Sequence, residues 1–232
     1  MAVAFVKNVA TNSSTSTTTN VLTVPAGGVA AGNVLILRGC GDHTTASVVD
    51  TGGNTYTLLE DLNGTFAPSI IWVANMTTAL VSTNTITITW DSKSSRGASA
   101  DEFSGLGFTE DGTSATASAT SATPSASMTP ANVGLVVSNM LIKSGNPDGF
   151  TEDSDTVNGS WVSFTAVTNN SVDIMRGAYK ILTASGAQTY NPTPAISRDW
   201  GLAVAAVNPP VAAYVRPAVF VSTSAVQRAA NW

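Results

Sequence analysis

The densest group of side chains able to do chemistry lies in NPDGFTEDSDTVN, residues 146–158, where Asp148, Glu152, Asp153 and Asp155 gather four carboxylates. Oxygen donors at that density suit Ca²⁺, which takes roughly 6–8 of them, but the D-x-D-x-D-G spacing of a calcium-binding loop is missing. A solvated acidic loop is the plainer expectation. Glu60-Asp61 and Asp101-Glu102 have the residue types of a glycosidase acid and base. Neighbours on a strand point to opposite faces, however, so neither pair can converge on one bond. The single histidine, His43, follows Asp42 in the run Gly41-Asp42-His43-Thr44 and is expected to be a solvated loop side chain. With no second histidine, a multi-histidine metal set cannot be built. Cys40, the one cysteine, excludes an intrachain disulfide and reads as a small buried hydrophobe. Phosphate-loop, dinucleotide, zinc-protease and serine-hydrolase spacings are absent. The expectation is a non-enzymatic chain with no cofactor.

The elements that must position these groups read as strands throughout. Asn84–Trp90 (NTITITW) puts Ile86, Ile88 and Trp90 on one face and Thr85, Thr87 and Thr89 on the other, the period-2 pattern of a half-buried antiparallel strand. Asn33–Arg38 (NVLILR) and Asn132–Met140 (NVGLVVSNM) are continuous apolar runs, the mark of strands covered on both faces. Asp50-Thr51-Gly52-Gly53-Asn54 supplies the residues of a tight hairpin. Trp72, Trp90, Trp161 and Trp200 fall inside predicted strands and are expected in the core rather than exposed as sugar-stacking platforms.

An internal repeat organises the chain. Residues 69–105 and 176–209 each show an apolar strand with an aromatic (Trp72, Tyr179), an Ala/Thr-rich turn, a second strand, a polar loop near an arginine (Arg96, Arg198) and a closing strand. Many short strands without an amphipathic helix predict an all-β fold. Two similar halves, 21–106 and 131–209, closing their apolar faces together predict a jelly-roll-like antiparallel β-sandwich over 21–209. The Ser/Thr/Ala-rich run between them, Phe108–Pro130, has almost nothing to bury and reads as a connection.

Composition narrows the function classes. Only 11% of the residues are charged, against roughly 25% in ordinary soluble domains. Hydroxyls and amides must therefore form most of the surface, and such a surface suits a protein packed against others. A net charge of −5 with scattered basic residues argues against nucleic-acid binding. No apolar run approaches the ~18 residues of a membrane span, and the N-terminus lacks the pattern of a secretory signal.

Both ends read as extended arms, residues 1–20 and 210–232, the N-terminal one opening on a strand-like Ala2–Val9 and continuing over Asn12–Asn20 as a surface linker or a long edge. The C-terminal one carries Tyr214, Arg216, Phe220, Val221, Arg228 and Trp232 but no acidic residue after Pro209-Pro210. Apolar surface left in water costs about 25 cal/mol per Å². The expectation is that this arm lies on a neighbouring subunit, with folding back over its own sheet edge as the alternative.

The order DTGGNTYTLL, SIIWVANMTTALVSTNTITITW, ADEFSGL, then GAYKILTASGAQTY and DWGLAVAAVNP resembles a broad group of β-sandwich modules. They occur in structural proteins of tailed bacteriophages and in some bacterial surface proteins. In phages, such modules are similar to head decoration and minor tail proteins. The resemblance spans Val21 to Pro209 and brings no catalytic residues with it. It implies a homo-oligomeric virion protein, assembled in the host cytoplasm, that decorates a capsid by packing on its major protein. The alternative it implies is a minor tail or tail-tip protein that binds a host-surface glycan.

Overall fold

Strand follows strand through the chain, with no helix among the described residues. The structure, a computed structural model, describes residues 3–63, 67–105, 109–144, 149–169 and 172–208, with side chains except at 93, 94, 109 and 110. It is an all-β, antiparallel, sandwich-like fold, as the period-2 patterning predicts.

The first half comprises β1 (Ala4–Thr23), β2 (Val34–Cys40), β3 (Ala46–Asp50), β4 (Tyr56–Leu62), β5 (Ser69–Asn75) and β6 (Thr85–Ser104). Their hydrogen-bonded order is β1-β6-β2-β5-β4, with β3 added to β6. β1 and β6 are each 20 residues long and serve two layers. The Gly97–Phe103 stretch of β6 lies between β1 and β2, while its first residues lie between the end of β1 and β3. Ile86, Ile88 and Trp90 turn inward onto Leu22, Leu37 and Trp72, giving this half its own core.

The second half repeats the plan in shorter pieces: β7 (Thr109–Ser121), β8 (Ala126–Met128), β9 (Leu135–Ile142), β10 (Phe150–Thr151), β11 (Trp161–Ser163), β12 (Val167–Asn169), β13 (Asp173–Arg176), β14 (Ala178–Ile181), β15 (Gln188–Tyr190), β16 (Thr193–Pro194) and β17 (Arg198–Asn208). β17 lies between β7 and β9, and the far edge of β9 carries β13 and β14, which in turn pair with β12 and β11. β15 pairs with β8 and β16 with β10. The long β1 thus corresponds to β7 plus β8, and the long β6 to β15, β16 and β17. A second separate core gathers Met140, Trp161, Tyr190, Trp200 and Leu202.

The halves meet through the outer faces of their central strands. Val34, Ile36, Ile71, Val73 and Phe103 pack against Leu135, Val137, Phe164, Tyr179, Ala203 and Ala205. This explains why β2 and β9 are apolar without alternation: each is buried at every position, between its own core and the shared one. Gly97 and Gly201 occupy matching registers, opposite Cys40 and Leu141. A Cβ on Gly201 would fall 2.0 Å from the Ala67 carbonyl oxygen of the first half, and one on Gly97 would lie 3.5 Å from Val167 of the second.

Four sequence expectations are corrected. Residues 1–20 are not an arm apart from the domain where described: from Ala4 they form β1 at the sheet edge, the long-edge alternative, hydrogen-bonded to β6 with residues such as Val9 facing the core. The run 108–130 is not a bare connection: β7 completes the edge of β17 and β8 pairs with β15, since alanine is large enough to cover a core beside Trp200 and Leu202. The common interior expected of one sandwich is present, but each half also encloses its own. The repeat is also offset from the sequence matching. Strand pairing places Trp72 level with Ala178, and Arg96 level with Trp200, rather than with Tyr179 and Arg198.

Candidate functional site

The acidic loop is built to hold itself together. Glu152 accepts from the Asp153 N–H at 3.0 Å and from the Ser163 hydroxyl. Asp153 accepts the N–H groups of Asp155 at 2.7 Å and Asn191 at 2.8 Å. Asp155 accepts from the Val157 N–H at 2.9 Å and pairs at 2.7 Å with Lys180, whose side chain is wholly buried beside Trp161. The Lys180 hydrogen bond holds the Asp155 carboxyl below its ordinary range. Asp148, the fourth calcium candidate, lies outside the described residues. Among those described, no group of three His, Cys, Asp or Glu side chains could hold a metal ion.

The other carboxylate pairs diverge as strand geometry requires. Asp101 turns to Arg38, while Glu102 accepts from Ala30 N–H at 2.9 Å and Asn33 Nδ2 at 2.7 Å and faces Lys7 at 3.5 Å. Glu60 and Asp61 follow a bulge after Leu58 and stand at consecutive positions opposite Ile71 and Ile70, so their side chains leave opposite faces of β4. Asp61 accepts from His43, whose Nε2 lies 2.9 Å away.

His43 corrects the expectation of a solvated loop residue. It is buried, its ring 5.1 Å from that of Trp90, with Nδ1 2.6 Å from the Gly41 carbonyl oxygen. Both partners are acceptors, so the surroundings favour the protonated ring, in which both nitrogens can donate. Burial opposes that charge, but the hydrogen bonds to Asp61 and Gly41 outweigh it and raise the pKa. Cys40 is buried as expected, and desolvation pushes its thiol up to about 12. Trp72, Trp90, Trp161 and Trp200 are all core residues.

Sequence reasoning missed the polar contacts that join the halves. Arg38 donates to Asp101 at 3.1 and 3.3 Å with both side chains fully buried, and its guanidinium lies 4.0 Å over the Phe164 ring of the second half. At the matching position of β9, Asn139 donates from Nδ2 to the carbonyls of Gly39 at 2.7 Å and Ile70 at 3.3 Å in the first half. Each half therefore sends polar side chains across the seam, Ser69 among them through its hydroxyl to the Asn139 carbonyl oxygen at 3.0 Å. The available signal was a lone polar residue inside an apolar run, in NVLILR, NVGLVVSNM and, for Lys180, GAYKIL.

Two surface features remain. Asn12, Ser13, Ser14, Thr15, Thr17, Thr19 and Val21 line an open groove of about 470 Å³ on β1, in which hydroxyls and amides alternate with threonine methyls and Val21. The strand β7 forms a sheet edge of 13 residues. The arm residues Tyr214, Arg216, Phe220, Val221, Arg228 and Trp232 lie outside the described residues. Compared with known proteins, the chain matches no family model, no curated protein and no solved structure.

Proposed function

We propose that this chain is a non-enzymatic structural protein that works packed against other subunits, in the form the sequence resemblance implies: a virion protein decorating the capsid of a tailed phage. The observation that carries the reading is that the candidate reactive groups are committed to holding the fold. His43 has both ring nitrogens within hydrogen-bonding distance of acceptors, Glu152, Asp153 and Asp155 close their own loop, and Asp101 neutralises Arg38. The low charge and the long hydroxyl-bearing strands β1 and β7 support packing against neighbours. The phage setting rests on the sequence resemblance alone.

Light scattering coupled to size-exclusion chromatography tests the assembly reading. The full chain forms oligomers, and deletion of residues 211–232 lowers the mass of the assembly while leaving the strand signature in circular dichroism unchanged. An unaltered mass on deletion rules out the arm as the contact.

A second reading, a tail-tip module binding a host glycan, is favoured by the open groove at Asn12–Val21, whose hydroxyl and amide side chains could hydrogen-bond sugar hydroxyls. A glycan-array screen separates the two: selective binding lost in Asn12→Ala and Thr17→Ala variants supports the glycan reading, and no binding leaves assembly alone.

A further inference from the structure

A sheet edge exposes a row of unpaired N–H and C=O groups, and proteins blunt such edges with charge, proline, bulges or short strands. Most sheet edges among the described residues are blunted. β1 has four breaks in register along its pairing with β6 and carries Lys7. β4 has a bulge and carries Glu60 and Asp61. β11 and β12 are three residues each, and β3 is five residues long and ends at Asp50.

β7 is the exception, and its counterpart in the duplicated first half is the heavily bulged β1. From Ser114 to Ser121 it pairs with Ala205–Arg198 at every position without a shift, and those eight residues contain no charge, proline or glycine. Among the described residues nothing pairs with its other edge. Ala115, Ala117 and Ala119 turn toward the second core while Ser114, Thr116, Ser118 and Thr120 are exposed.

We infer that the free edge of β7 is an interface for a second copy of this chain, the two β7 strands pairing antiparallel about a two-fold axis. The strand suits itself. A two-fold perpendicular to the sheet maps each hydrogen-bonded pair onto one of its own kind, so residues of the same face always meet. Centred on Ala117, the pairing sets Ala115 against Ala119, Thr116 against Ser118 and Ser114 against Thr120. Alanine meets alanine and hydroxyl meets hydroxyl. No like charges oppose, because Asp111 lies beyond the paired stretch, and centring nearer to it would bring the two Asp111 carboxylates together. The result is one sheet continuous across both copies. This interface does not depend on the virion reading or on the C-terminal arm.

The test uses the full chain and two charge variants on the exposed face, Thr116→Lys with Ser118→Lys and Thr116→Asp with Ser118→Asp. Each sets like charges opposite one another. By light scattering, the wild type has twice the 23.6 kDa chain mass or a multiple of that. Each variant loses that two-fold contact while keeping the wild-type circular dichroism, and mixing the two restores it through Lys–Asp pairing. A wild type that stays monomeric at every concentration overturns the inference, as it would if the chain's own residues 211–232 covered the edge. So do variants that associate like the wild type, or a mixture that gains no association.

Discussion

Arg38 and Asp101 face each other at 3.1 Å with neither side chain exposed to solvent, on neighbouring strands at the seam between the two halves. Asn8 at 2.8 Å and Ser99 at 3.1 Å also donate to the Asp101 carboxylate, so the ion pair sits in a hydrogen-bonded set rather than alone. Removing one member strands the other charge in the core, at a cost of about 3–5 kcal/mol. Asp101→Leu and Arg38→Met therefore each lower the urea midpoint sharply. The double variant Arg38→Met/Asp101→Leu recovers most of the loss, and the double-mutant cycle measures the coupling.

The close approach at Gly201 gives a contrast within the duplicated frame. A methyl group there meets the Ala67 carbonyl oxygen at 2.0 Å, backbone that cannot swing aside, whereas at Gly97 the nearest atom is the Cys40 sulfur at 3.1 Å. Gly201→Ala is expected to destabilise by about 1–3 kcal/mol or more through overpacking. Gly97→Ala costs less. Denaturant unfolding of the two variants side by side checks the order.

His43 makes stability depend on pH in a stated direction. Its folded pKa is raised above the ordinary 6.5 by Asp61 and Gly41 against the opposing effect of burial. The stabilisation is therefore fully present below about pH 6.5, the unfolded value, and is lost as pH rises through the higher folded pKa. Subtracting the unfolding curve of His43→Gln from that of the wild type across about pH 5 to 9 isolates it. NMR titration of the imidazole locates the folded pKa, and Asp61→Asn brings it down.

Cys40 reports on opening of the halves. With its thiol pushed up to about 12 by burial against Gly97 and the second half, it carries almost no thiolate at neutral pH. An aromatic disulfide reagent leaves it unmodified in the native protein and labels it at the rate of unfolding. Because Leu141, Val167 and Met175 cover it, Arg38→Met accelerates the labelling if the halves part before either core melts.

The sequence by itself determined the all-β class and, in the alternating segments, which face is inward. Ile86, Ile88 and Trp90 alternate with threonines, and that local period fixes which side of β6 is inward wherever the strand lies. The four strand tryptophans were legible as core for the same reason. Only the tertiary structure decided what lies opposite: that β1 joins β6 from far along the chain, that Ser/Thr/Ala-rich β7 is a sheet edge, and that His43 meets Asp61. Period-2 patterning carries no record of a distant strand's register, and one polar residue in an apolar run has no local partner to name. Arg38, Asn139 and Lys180 are assigned only when two halves with matching plans are pressed together, since it is burial that obliges each to find its acceptor.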